Sequence, residues 1–132
     1  MSIGESFRSV LLTYSGIGTL VGTRVAPYIE DDGTEFPRIS YRVDSDEPVV
    51  DLAQADATRI ATVDIECMSR SEDEVQTLSD LVESALRGTT PTGYAGVIAV
   101  QETSGDASPP FDGSREPVFR RTVRNLVFYW ET

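Results

Sequence analysis

The chain has 132 residues, 39% of them hydrophobic, and a mean hydropathy of −0.19; this fits one domain able to bury a real core, and no apolar run nears the ~18 residues a membrane span needs. Acids outnumber bases 22 to 11 for a formal net charge of −11, and every base is Arg, with no Lys and no His, which excludes Ser-His-Asp and Cys-His catalysis, His metal ligation, a Walker lysine and a Schiff base. A single cysteine excludes an internal disulfide framework and a structural zinc site, and an acidic chain without a clustered basic face is poorly suited to grip nucleic acid.

Ser2 to Tyr14 reads as a first helix, with Ile3, Phe7, Val10, Leu11 and Tyr14 at helical spacing and an S-x-x-E cap in Ser2 and Glu5. No basic region followed by an apolar run opens the chain, so no secretory signal is expected. Gly16, Gly18 and Gly22 then read as a break; their G-x-G-x-x-x-G spacing follows a helix rather than a strand, which argues against a dinucleotide loop. Arg24 to Ile29 is a short strand, with Pro27 suggesting a sheet edge. Glu30 to Glu35 is an acidic turn on Asp32-Gly33, and Ile39 to Val43 the next strand. Ser45 to Ala57 reads as a long acidic connection interrupted by Val49, Val50 and Leu52, an apolar trio that either meets a partner or tucks back onto its own sheet. Asp44-Ser45-Asp46 forms a D-x-D that some metal enzymes use, but two carboxylates in a loop are a common arrangement.

The clearest signal runs from Thr58 to Gly88. Ala61, Val63, Ile65 and Cys67 alternate with Thr62, Asp64 and Glu66, the pattern of a half-buried strand. Cys67 takes the apolar parity and reads as a small buried hydrophobe. Ser71 and Glu74 then form a capping box in an acidic first turn. Val75, Leu78, Val82, Ala85 and Leu86 follow at helical spacing, before Arg87 in the last turn and Gly88 at the stop. Thr89 to Gly93 is a loop, Val97 to Gln101 a short strand, and Ser104 to Pro117 a polar connection with Phe111 as its one aromatic. Val118 to Trp130 is a strong strand, apolar on both parities: Val123, Val127 and Tyr129 on one, Leu126, Phe128 and Trp130 on the other. Arg121 and Arg124 are placed to pair with Asp64 or Glu66 across the sheet.

The expected order is α-β-β-β-α-β-β in a single domain over 1–132, with mobile loops near 44–57 and 104–117. This is an α+β class fold: a mainly antiparallel four- to five-stranded sheet with two helices packed on one face. Arg without Lys fits either a GC-rich genome or a high-salt host, where salt screens self-repulsion.

In its order and spacing the chain resembles the tail-completion (tail-terminator) proteins of long-tailed phages, related archaeal viruses and gene transfer agents. The resemblance rests on several stretches: the N-terminal helix ending near Tyr14; Leu20-Val21-Gly22-Thr23-Arg24-Val25-Ala26-Pro27; Phe36-Pro37-Arg38-Ile39-Ser40-Tyr41; Ala61 to Cys67; the acid-capped helix ending Ala85-Leu86-Arg87-Gly88; and a last strand ending in aromatics. It implies a structural virion protein at the tail-neck junction, assembled in the host cytoplasm. Such proteins form a hexameric ring that caps the tail tube, ends its growth and presents the head-joining surface. The implied partners are further copies of the chain, the tail tube protein and head-tail connector or adaptor proteins. DNA passes through the ring without specific binding, and neither a membrane, a metal nor a cofactor is involved.

Under that resemblance Val49, Val50, Leu52, Phe111, Phe128 and Trp130 are the candidates for subunit or tube contact. Asp44, Asp46, Glu47, Asp51, Asp56, Asp106 and Asp112 are the candidate lumen or rim acids, since a negative lumen repels phosphates. The rival readings are another neck protein, such as a head-completion protein or adaptor, and a carboxylate-metal enzyme, for which no pair of acids is placed by sequence to converge.

Overall fold

A computed structural model describes residues 2–28, 35–48, 59–87, 94–108 and 118–131, with backbone alone at 94–100, 106–108 and 131. Helix α1 (Ile3–Thr13) starts at a complete capping box: the Ser2 hydroxyl accepts from the Glu5 amide at 3.2 Å, and the Ser2 amide donates to the Glu5 carboxylate at 3.1 Å. Its apolar face buries Ile3, Phe7 and Leu11. A second helix, α2 (Ser15–Val21), occupies the stretch whose glycines suggested a break, so the described residues form three helices rather than the two expected. Only Gly22 ends a helix, at φ +59°, its amide donating to the Gly18 carbonyl. A glycine inside a helix costs only about 1 kcal/mol, and the complete burial of Ile17 and Val21 outweighs that.

Strand β1 (Val25–Pro27) is parallel to β2 (Arg38–Pro48), pairing Val25 with Ile39, Ala26 with Ser40 and Pro27 with Tyr41. It is tied to α1 by Arg8, whose Nε donates to the Val25 carbonyl at 2.9 Å. Strand β3 (Arg59–Ser69) is antiparallel to β2. Helix α3 (Glu72–Leu86) follows, and strands β4 (Tyr94–Ser108) and β5 (Val118–Glu131) form an antiparallel pair in which β5 also lies against β3. Among the described residues five strands therefore stand in the order β1-β2-β3-β5-β4, a mixed sheet in which the β1-β2 pairing is parallel and the others antiparallel. Two stretches read as loops belong partly to strands: Asp44 to Pro48 continues β2, and Ser104 to Ser108 continues β4. Their polar composition hid a period-two backbone whose inward hydrogen bonds are made with β3 and β5. The remainder of those two stretches, 49–57 and 109–117, lies outside the described residues, as does the 89–93 loop.

Alternation along β3 and β5 divides the sheet into two unlike faces. Ala61, Val63, Ile65 and Cys67 join Val123, Val127 and Tyr129 in a single core with Leu78, Val82 and Leu86 of α3, Phe7 and Leu11 of α1, and Ile17 and Val21 of α2. All three helices contribute to that one layer, and Cys67 is fully buried within it, where desolvation pushes its thiol well above the usual range. At the start of α3 the Ser71 hydroxyl accepts from the Glu74 amide at 3.3 Å, but the Glu74 carboxylate does not return to Ser71. Ser69 intervenes: its hydroxyl donates to Glu74 at 2.7 Å and accepts from the Ser71 amide at 3.1 Å. One polar node sits inside the core. Asn125, fully buried, donates to the Val63 and Val123 carbonyls and accepts from Gln101 at 3.0 Å, so its amide is satisfied on both sides. No described helix is long and apolar enough to cross a membrane.

Candidate interaction face

The face of the sheet opposite the helices carries side chains of the other parity: Arg42 on β2, Thr62, Asp64, Glu66 and Met68 on β3, and Arg120, Thr122, Arg124, Leu126, Phe128 and Trp130 on β5. No described helix covers it, although Arg38, Ser40, Met68 and Val118 at one end of it are buried. Two kinds of surface divide this face, an ionic middle and an apolar end.

Asp64 is the centre of the ionic part. Its carboxylate, 6% exposed, accepts two bonds from Arg124, at 2.8 Å from Nε and 3.0 Å from a terminal nitrogen, and a third from Arg42 at 3.2 Å. The paired arrangement of Arg124 is the strong, geometrically specific form of the interaction. Those hydrogen bonds hold the Asp64 carboxyl below its ordinary range, against the opposing effect of burial and with help from Arg42. The register of β2 shifts between Val43 and Ser45, and the extra residue, Asp44, brings its carboxylate to 3.9 Å from Arg42 and 3.6 Å from Arg124. Glu66 pairs with Arg120 at 3.6 Å, and Glu102 of β4 lies opposite Arg124 in the ladder. Arg124 thus takes the partner expected for it. Arg121 does not, because its odd position turns it to the helix side, where its Nε donates to the Ser79 hydroxyl of α3 at 2.9 Å.

The bulge at Asp44 also decides the fate of the D-x-D. Beyond it the parity of β2 is inverted, so Asp46 pairs with Ala61 and faces the helix side. There it accepts from Arg59 at 2.8 Å and from the Tyr129 hydroxyl at 2.7 Å. Burial, and then that bond to Asp46, push the Tyr129 phenol up to about 12. Asp44 and Asp46 therefore lie on opposite faces, each engaged with arginine. Among the described residues no three acids, cysteines or histidines come together as a metal site.

The apolar part lies at the end of the face where β5 runs out. Phe128 and Trp130 are 38% and 42% exposed there. Ile60 and Leu126 adjoin them half-buried, and Val97 and Ala95 of β4 occupy the facing register positions. Glu47 lies exposed on β2 at the same level, paired with Ile60. Of the other candidates, Asp106 lies on β4 opposite Arg120. Val49, Val50, Asp51, Leu52, Asp56, Phe111 and Asp112 are outside the described residues. Sequence reasoning missed Arg42, Arg59 and Asn125. The alternation of Arg42, Asp44 and Asp46 was the available signal for a strand continuing past Val43.

No curated protein matches the chain. Among solved structures, a chain of the native gene transfer agent virion particle superposes with a TM-score of 0.66 over 96% of this chain and 94% of that one, at 13% identity, a likeness of fold. The family described as tail completion protein gp17 matches residues 5–108, from α1 to the end of β4. The chain accordingly belongs to the tail completion protein gp17 family, and it is a structural protein of the virion tail.

Proposed function

We propose that this chain assembles into a ring, a hexamer by the family resemblance, that caps the finished tail tube, stops its growth and presents the surface to which the head joins. The observation that carries the reading is the one-sided fold. All three helices pack on one face of the sheet, and the other keeps Phe128 and Trp130 in solvent beside an ionic cluster. Exposed aromatics at one end of a sheet are suited to a partner surface, and membership of a tail-completion family supplies the setting.

In this reading Phe128 and Trp130, with Val49, Val50, Leu52 and Phe111, contact the next subunit or the tube below. Asp44, Glu47, Asp51, Asp56, Asp106 and Asp112 belong to the lumen or its rim, whereas Asp46, turned to the helix side and held by Arg59 and Tyr129, does not. The acidic surplus keeps passing DNA from binding. The tube protein and a head-tail connector or adaptor are the heterologous partners, and the chain performs no catalysis.

The test is mass photometry and electron microscopy of the purified protein with and without purified tail tubes. Wild type is expected to form rings that cap tubes. Val50→Asp is expected to stay folded and lose ring formation or docking. A wild type that remains monomeric with tubes present, a Val50→Asp protein that caps normally, or binding to the head connector with none to tubes would overturn the assignment.

A further inference from the structure

Two edges of the sheet are unpaired among the described residues, and they lie at the same height. On one side β4 is the outermost strand. On the other, β1 covers β2 only at Ile39–Tyr41, so Arg42 to Pro48 has no strand outside it, and all seven of those residues are exposed. Following the ladders across the sheet, Arg42 leads through Asp64 and Arg124 to Glu102, Ser45 through Thr62 and Leu126 to Val100, and Pro48 through Arg59 and Tyr129 to Gly96. Among the described residues each copy therefore presents an edge with no strand beside it on its left and another on its right, with the Asp46 carbonyl on the β2 edge taken by the Arg59 guanidinium. Natural sheets blunt such edges or give them a partner.

We propose that the subunits join edge to edge, the Arg42–Pro48 stretch of β2 in one copy adding as an antiparallel strand to β4 of the next copy, so that the sheets close into one continuous barrel. The proposal rests on the ring reading above and names its seam. The strand directions suit it. β2, β3, β5 and β4 alternate in direction across each copy, so the β2 of a rotated neighbour meets β4 antiparallel. The charges suit it as well. Tyr94 to Gln101 carries no charged residue, whereas the β2 edge carries Asp44, Asp46 and Glu47. Pairing β2 with β4 opposes acids to neutral residues; pairing β2 with β2 would oppose acids to acids. The seam joins unlike patches, which is the condition for a ring rather than a twofold dimer. The short β1, ending in Pro27 without an amide hydrogen, cannot serve as the receiving edge.

With four strands from each of six copies the barrel would have roughly 24 strands and, at a spacing of about 4.8 Å, a strand-to-strand diameter near 40 Å, wider than barrels that hold an aqueous channel. The helix layer takes the outside. The helix-free face lines the hole, placing Asp44, Asp64, Glu66 and Glu102 against Arg42, Arg120 and Arg124 in the lumen, and Phe128 and Trp130 at one mouth.

Directed disulfide formation tests the seam, because two cysteines bridge only when their Cα atoms come within about 7 Å. Cys67 is fully buried and serves as the silent background. One partner is Ser45→Cys, with Glu47→Cys as the substitute should the first variant misfold. The other is a β4 cysteine walked through Val97→Cys, Val100→Cys, Glu102→Cys and Ser104→Cys, register positions on the same face as Ser45 and Glu47, because closing a barrel requires a stagger at the seam. Under oxidation with ring formation followed in parallel, mixing a β2 variant with the right β4 variant is expected to give a cross-linked pair that neither gives alone. The double variant is expected to give a ladder ending at the closed ring. Self-linking of a β4 variant alone would replace the seam by a twofold contact. Rings with no cross-link at any of the four positions would overturn the seam and leave the ring reading standing. Failure of the wild type to form rings overturns both.

Discussion

Replacing Asp64 by asparagine keeps the outline of the side chain and removes the charge that Arg124 and Arg42 share. Breaking one partner out of a fully buried ion pair costs about 3–5 kcal/mol. Here the carboxylate is 6% exposed, but the Arg124 and Arg42 side chains are 48% and 49% exposed, so the guanidinium groups can turn to water and to Asp44. The loss therefore falls nearer that of charge-assisted hydrogen bonds, about 1.5–3 kcal/mol. For a domain of this length that lowers Tm by roughly 5–15 °C. The pH dependence has a definite sign. Arg124 holds the folded Asp64 carboxyl below its ordinary value. Its contribution is therefore fully present above the unfolded value near 3.9 and disappears as pH falls through the lowered folded value. Urea melts of wild type and Asp64→Asn across a pH series should show a constant gap from neutral pH down to about 5, then a closing gap in acid. An asparagine variant as stable as wild type at pH 7, or a gap that persists as both proteins approach acid unfolding, would refute the ionic cluster as a source of stability.

Leu78 is fully buried beneath α3, so Leu78→Ala is expected to cost about 2–5 kcal/mol, while Ser71→Ala, which loses one cap bond, costs about 0.5–2 kcal/mol; equal and negligible losses in denaturant melts would contradict the helix packing. The Tyr129 phenol, pushed up to about 12 by burial and Asp46, contributes stability that is present below the unfolded tyrosine value near 10 and lost as pH rises through the folded one. Wild type should therefore lose ground to Tyr129→Phe between about pH 10 and 12, read as the difference between their melts. With a net charge of −11, Tm is expected to rise with NaCl into the molar range; a flat or falling curve in calorimetry would favour codon bias over a high-salt host as the source of Arg without Lys.

The parts of the fold legible in the sequence were those where period and burial agree. β3, α3 and β5 each carry an apolar stripe at the spacing of their own geometry, and each lies where its stripe predicts. α2 was not legible because Gly16 and Gly18 carry low helix propensity, while the burial of Ile17 and Val21 that overrides it is a tertiary effect. Gly16 has a packing reason of its own: a Cβ there would lie 3.1 Å from Leu81 of α3. The ends of β2 and β4 were hidden by acids and small polar residues, which resemble a loop when a strand has a wet or unpaired side. The candidate face was half visible. The exposed aromatics of β5 and the Arg124–Asp64 pair follow from alternation alone. The bulge at Asp44 has no sequence marker, and it sends Asp46 to the helix side.

Salt acts on two populations of charge in this molecule, and they respond differently. The Asp64 cluster is internal to the chain and its carboxylate is nearly sealed from solvent, so screening weakens it little. The surplus acids sit outside. Glu72, Asp73 and Asp80 line the exposed side of α3, and Glu47 and Glu102 stand at the two sheet edges. Their mutual repulsion is what added salt relieves, first within one copy and far more between copies, since six would carry a formal −66 (6 × −11). On the ring reading proposed above, assembly is expected to gain from salt as the stability of the monomer does, and more steeply. The neutral Tyr94–Gln101 run on β4 follows the same logic. On the proposed seam, an edge that receives the Asp44, Asp46 and Glu47 of a neighbour avoids like-charge repulsion by carrying no carboxylate at that height.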